Sequence, residues 1–264
     1  MRLLAFAFVA ALSCSLSFQA RAADPHPWES AQTVLDAVNV DFSAKGIMGV
    51  ASHVDDLEHA LAGAKDAVLA TRQASGTVFL LTDHDTDLFK SVIAATALAG
   101  KNGGGQVVSV ANPYPMISLY LGSYYNEVGK FEDAARVLDA GLAIYEMDGY
   151  ISPTGEHRSW LMLERASSSN GEKRFDETLA IIDRGLVLPV VSDQIRAHFL
   201  RNRGFALTEL GRLDDAEQAY NDSLKLDPSS DTARNELRYI ARLRASGQKE
   251  TGGLKPLAKP ATGP

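Results

Sequence analysis

One cysteine stands in 264 residues, and it is Cys14, inside an apolar leader. Without that leader the chain has no disulfide, no thiol nucleophile and no thiolate metal site. After residue 22 no apolar run is long enough to cross a hydrocarbon core of about 30 Å, which takes about 20 residues. Catalytic signatures are missing too. No Gly-x-Ser-x-Gly elbow, no His-Glu-x-x-His helix and no Walker loop occurs, and no serine has a recognisable base beside it in sequence. Basic residues are outnumbered 26 to 33, for a formal charge of -7. An acidic surface repels phosphate backbones, which argues against nucleic acid as a partner. What remains is 45% hydrophobic and 22% charged, ordinary for a globular chain with room for one elongated domain or two small ones.

The leader reads as a secretory signal. Arg2 supplies the positive start, Leu3 to Leu16 is apolar or small, and Ala20-Arg21-Ala22 presents small residues to a peptidase. Residues 1–22 are therefore expected to leave, with cleavage before Ala23 and a periplasmic or secreted product that does not span a membrane. Losing Arg2 and Arg21 leaves 24 bases against 33 acids, a net charge of -9. A lipoprotein anchored at Cys14 is disfavoured, because Ala11 stands where a leucine-like residue belongs. The Ala-x-Ala site argues likewise against an uncleaved anchor.

Residues 24–111 match no family pattern. Ala31, Val34, Leu35 and Val38 predict a helix from Trp28 to Val40, and Asp55 or Asp56 is placed to cap a second one running to about Arg72. Thr77 to Leu81 and Gln106 to Val110 read as short strands around a third helix, which starts at Asp85 or Asp87 and ends at Leu98. Two strands around a helix make either a small α/β patch or a hairpin.

From Asn112 onward a pattern repeats. One stretch runs Leu121-Gly122-Ser123-Tyr124-Tyr125, then Gly129-Lys130-Phe131-Glu132-Asp133-Ala134, then Leu138. Another runs Arg203-Gly204-Phe205-Ala206-Leu207, then Gly211-Arg212-Leu213-Asp214-Asp215-Ala216, then Tyr220. Gly122 to Ala134 and Gly204 to Ala216 are both 12 residues, and Gly129 to Ala134 and Gly211 to Ala216 are both 5. A degenerate copy lies between, with Phe175, Ile182, Gly185 and Leu186 aligning on Phe131, Leu138, Gly141 and Leu142. It carries Ala166 for the first glycine and Thr178 for the alanine, and residues 148–156 read as an inserted loop. Small residues at these places let two helices approach closely, and a glycine can end the first helix in a left-handed turn. Pro228 stops the last helix.

Residues 112–228 thus resemble the tetratricopeptide repeat, a helix–turn–helix unit of about 34 residues. The resemblance implies a mainly α chain: a helical-hairpin solenoid of three repeats with a small N-terminal α/β region. A closing helix over 229–245, capped by Ser230 or Asp231, is expected to cover the last repeat, and 246–264 to be a disordered tail. The resemblance further implies a concave groove lined by the first helix of each repeat, which takes a protein or peptide. Its positions here are Met116, Leu119, Ser123, Asn126 and Glu127; Trp160, Leu163, Ser167 and Asn170; and His198, Arg201, Phe205, Thr208 and Glu209. Apolar anchors beside Arg and Asn suit peptide capture. Trp160, Leu163 and Phe205 also fit simple packing against neighbouring elements. Leu119 and Ser123 stand where the family's carboxylate clamp needs Lys and Asn, so chaperone tails are not the expected guest.

Other chemistry is thin. Asp83-His84-Asp85-Thr86-Asp87 alternates acids like a calcium loop, but Leu88 and Ala94 stand where that loop needs glycine and a carboxylate. Helix capping explains the acids better. His53 with Asp55 and Asp56, and His84 between acids, could suggest a two-histidine metal site, but nothing in the sequence fixes their distance, and surface or capping roles fit better. Gly103-Gly104-Gly105 precedes a strand, where a phosphate loop would follow one. No metal and no cofactor is expected. The sequence favours an envelope scaffold or adaptor. Two alternatives are an enzyme with a site near residues 83–87 and a subunit of an envelope assembly or secretion complex.

Overall fold

The computed structural model describes residues 27–64, 66, 77–82, 106–146, 156–188 and 192–246. The leader, the third predicted helix, the acidic run 83–87, the glycines 103–105, most of the inserted loop and the tail from 247 lie outside the described residues.

Helix α1 (Pro27–Lys45) runs a turn beyond the predicted end at Val40. It turns at Gly46, whose φ is +61°, into a 3₁₀ helix (Gly46–His53) that the apolar pattern did not announce. Helix α2 (Val54–Ala62) follows. Asp55 and Asp56 lie in its first turn, where the helix dipole favours them; the capping position is His53, which makes no side-chain cap bond. Strands β1 (Thr77–Thr82) and β2 (Gln106–Ala111) pair in parallel, Thr77 opposite Gln106 and Thr82 opposite Ala111. A hairpin needs antiparallel strands, so of the two readings the α/β patch stands.

Three antiparallel hairpins then stack. They are α3 (Tyr114–Glu127) with α4 (Phe131–Tyr145), α5 (Glu156–Gly171) with α6 (Phe175–Leu186), and α7 (Asp193–Glu209) with α8 (Leu213–Leu226). Helix α9 (Asp231–Ser246) closes the stack. The Asn112 side chain accepts from the Tyr114 N–H at the start of α3, Ser192 accepts from Ile195 at α7, and Ser230 accepts from Ala233 at α9. Each bond satisfies a donor that the helix itself leaves orphaned.

The turn between paired helices is the same three times. Gly129, Lys173 and Gly211 take φ of +76°, +61° and +75°. The next N–H, of Lys130, Arg174 and Arg212, bonds back to Tyr125, Ser169 and Leu207 at 2.8–2.9 Å. Lys173 therefore holds a left-handed conformation that costs a residue with a Cβ about 1–2 kcal/mol. Lys173→Gly removes that strain and returns part of it as unfolded-chain entropy. The expected result is a gain of about 0.5–1 kcal/mol, read as a higher thermal midpoint by circular dichroism.

Close approach explains the other glycines. A Cβ on Gly122 would sit 2.3 Å from Leu138, and one on Gly204 2.7 Å from the Tyr220 ring. These partners lie one turn past Ala134 and Ala216, the residues expected opposite; both alanines are fully buried beside them. Neighbouring hairpins lock in the same way, for Phe199 of α7 lies across Gly185 of α6. One apolar core runs from Trp28, Val38 and Leu57 through Ile117, Leu121 and Leu138 to Leu161. A second gathers Ile182 and Phe199, and a third Leu207, Tyr220 and Ile240.

Candidate protein-binding face

A polar ladder joins the first helices of successive hairpins. Gly122, Ala166 and Gly204 are the crossing residues of α3, α5 and α7. The residue four places after one crossing bonds the residue two places before the next. Asn126 donates to the carbonyl and the carboxylate of Glu164, at 2.9 and 3.1 Å, and accepts from Ser168. Asn170 donates to Asn202 at 3.4 Å and accepts from Thr178 at 2.9 Å.

The same step recurs before the first repeat, and a looser contact follows the last. Before the first, Tyr120 donates to Asn39 of α1 at 2.7 Å, and Phe42 of α1 lies 5.0 Å from the Tyr120 ring. After the last, the buried Tyr220 hydroxyl lies beside both Thr208 and Glu236 of α9, without a hydrogen bond of regular geometry to either. By this register Leu35 is the crossing residue of α1.

Burial agrees with that register. Helix α1 buries one stripe, Trp28, Ala31, Leu35 and Val38, and leaves Ser30 and Ala37 exposed. Helix α9 buries Ala233, Glu236, Tyr239, Ile240 and Leu243 and exposes Arg238 and Ala241. Glu58 of α2 reinforces the N-terminal joint. It accepts a two-pronged ion pair from Arg136, at 2.6 and 3.0 Å, and a bond from Tyr125 at 2.9 Å. Arg136, foremost, holds the Glu58 carboxyl below its usual range; burial first, then Glu58, pushes Tyr125 up to about 12.

The groove residues read from the sequence divide into three groups. Leu163 and Thr208 are 4% and 2% exposed and are not available for contact: Leu163 belongs to the second core, and Thr208 donates to the carbonyl of Gly204 within its own helix. Asn126, Asn170 and Ser167 are half-buried and already bonded, Ser167 to Leu163 of its own helix. The rest keep open surface. Glu127 is exposed; Met116, Leu119, Ser123, Trp160, His198, Arg201, Phe205 and Glu209 are half-buried.

Trp160 and His198 meet edge to face, centroids 5.7 Å apart, across α5 and α7. Phe205 stands edge-on to Phe175 at 6.3 Å. Arg201 is held by Asp227 at 3.1 Å and Ser223 at 3.3 Å through one nitrogen of its fork. Burial pulls its pKa down, and Asp227 opposes the fall.

Sequence reasoning missed the ladder's other half: Asn39, Tyr120, Glu164, Asn202 and Glu236. For Tyr120, Glu164 and Asn202 the available signal was a polar residue two places before the crossing. Among these, Glu236 has a measurable consequence. Burial raises its pKa, Glu209 adds to the rise, and Tyr220 and Arg242 oppose it. A raised folded value means stability that is full below the unfolded value and falls as pH rises through the folded one. Glu236→Gln is therefore expected to melt higher than the parent at pH 8, with the difference closing by pH 4. Denaturant midpoints across that range test it, and a parallel offset at every pH would refute the titration.

Among the described residues no helix is long and apolar enough to cross a membrane, and no group of three His, Cys, Asp or Glu could hold a metal ion. Residues 197–230 match the family model of the tetratricopeptide repeat, covering α7 from Ala197, α8 and the turn into α9. No curated protein matches the chain. Two of the solved structures similar to it each cover half of the chain. The first TPR domain of the human RPAP3 protein is 25% identical, covers 50% of this chain and 94% of its own, and has a TM-score of 0.42. The first TPR of Spaghetti (RPAP3), bound to the HSP90 peptide SRMEEVD, is 24% identical over the same shares, with a TM-score of 0.41.

Proposed function

We propose that this tetratricopeptide-repeat chain is an exported scaffold or adaptor of the cell envelope, which binds an extended segment of another protein on the face made by its first helices. The observation that carries this reading is the Trp160–His198 pair with Arg201 one turn away. An apolar anchor, an aromatic edge and a cation held by Asp227 sit together, half-buried, on adjacent helices. Such groups supply most of the energy in protein interfaces.

Crosslinking followed by mass spectrometry in intact cells tests it. One partner is expected to be recovered with the parent protein. Trp160→Ala and Arg201→Ala together should lower its yield at least tenfold without shifting the melting curve by more than a few degrees. An unchanged yield, or no partner above background, would refute the reading. Export has its own test: the mature N-terminus read by mass spectrometry is expected at Ala23, and an intact Met1 in the folded product would remove the envelope role.

A further inference from the structure

Helix α9 carries an acid into the stack. Glu236 is 7% exposed and lies on the side of α9 that also buries Ala233, Tyr239, Ile240 and Leu243. A carboxylate taken out of water must be paired with a cation or keep its proton. The groups around Glu236 do not make a pair. Helix α8 brings the buried Tyr220 hydroxyl, which has no hydrogen bond of regular geometry. Helix α7 brings the carboxylate of Glu209, which opposes a second negative charge. Helix α9 itself brings Arg242, which favours that charge but is exposed, its guanidinium 5.8 Å from the Tyr239 ring. The neighbouring acids are engaged with other cations: Asp214 and Glu217 of α8 hold Arg244, and Asp227 holds Arg201.

We propose that Glu236 is a proton-operated latch on α9. With the proton on, the neutral acid lies against Tyr220 and α9 stays closed on α7 and α8. With the proton off, a negative charge sits beside Glu209 in a packed joint, and α9 opens locally to hydrate it. Opening uncovers Leu207, Ala219 and Tyr220, which share the third core with Ala233 and Ile240 of α9. The first two cores hold no residue of α9, so the other hairpins stay folded. The sign follows from linkage. The closed helix holds the proton more tightly than the open one, so α9 is firmest below the ordinary glutamate range. It loosens as pH rises and levels off once the closed form has also lost its proton. A single proton changes the opening constant by at most about tenfold per pH unit.

Hydrogen exchange of the full chain, with each amide corrected for its intrinsic rate, reads this opening between pH 5 and 8. In the parent, protection of the α9 amides is expected to fall by about tenfold or more over that range, while α3 to α6 keep theirs. Glu236→Gln should flatten the α9 profile. Glu209→Gln should shrink the fall, because a repelling charge is gone, and Arg242→Ala should enlarge it.

A merely structural role for Glu236 would move α9 protection by one factor at every pH, and that result overturns the proposal. A flat profile in the parent, or a loss shared by all helices, overturns it too. Should Glu236→Gln fail to fold, the Glu209 and Arg242 variants decide: slopes equal to the parent's in both would refute the latch.

Discussion

Gly122→Val is expected to lower the thermal midpoint by roughly 10 °C. The added Cβ would lie 2.3–2.7 Å from three side-chain atoms of Leu138, which is fully buried and has nowhere to go. Overpacking a tight core costs about 1–3 kcal/mol, and a rigid branched side chain at such distances belongs at the upper end. Removing a glycine from a helix interior returns about 0.5–1 kcal/mol, too little to offset it. Gly129→Ala is the control. Nothing lies within 4 Å of a Cβ there, but φ is +76°, so the cost is local strain of about 1–2 kcal/mol with no displaced neighbour. The two losses differ in kind. In Gly122→Val, amides of both α3 and α4 should lose hydrogen-exchange protection, whereas in Gly129→Ala the loss stays near the turn. A Gly122→Val chain that melts like the parent would mean that the helices do not cross at this residue.

That contrast also shows what the chain made legible and what it did not. Gly122, Gly129, Gly204 and Gly211 announced the hairpins because backbone geometry admits few alternatives, and a constraint of that kind recurs at fixed spacing. Lys173 holds the same turn with no glycine to mark it, so the middle hairpin looked weaker in sequence than it is in space. The start of the stack was hidden for a related reason. Leu35 stands at the crossing position of α1, so no glycine or alanine marks it. Helix α1 therefore read as an unrelated N-terminal element. Among the candidate contact residues, Trp160, His198 and Arg201 keep open surface, but Leu163 does not. Whether a leucine on a first helix faces the groove or the next hairpin depends on how the linkers set the stack. Those linkers are 10 and 4 residues longer than the 34-residue period, since Phe131, Phe175 and Leu213 are 44 and 38 apart. No residue reports that setting in advance.

The setting between hairpins has its own expected result, the second large one. Phe199→Ala is expected to cost about 3–5 kcal/mol, because the ring is fully buried and no small residue nearby can fill its space. The position of the loss matters as much as its size. In a stacked array each hairpin contacts only its neighbours, so stability is close to a sum of hairpin and interface contributions. Phe199 fills the interface between α6 and α7, where a Cβ on Gly185 would meet its ring at 2.4 Å. Weakening that joint should split one melting transition into two, with α7 to α9 losing hydrogen-exchange protection first and α1 to α4 keeping theirs. The pair also predicts a reversal of sign. Gly185→Ala in the parent forces its methyl into the ring and should destabilise. In the Phe199→Ala background the same methyl enters vacated space and adds helix propensity, so it should stabilise. A coupling of at least about 1 kcal/mol in that double-mutant cycle is expected for groups in direct contact. Additive effects would mean that the ring and the glycine do not touch, and that the third hairpin sits elsewhere on the second.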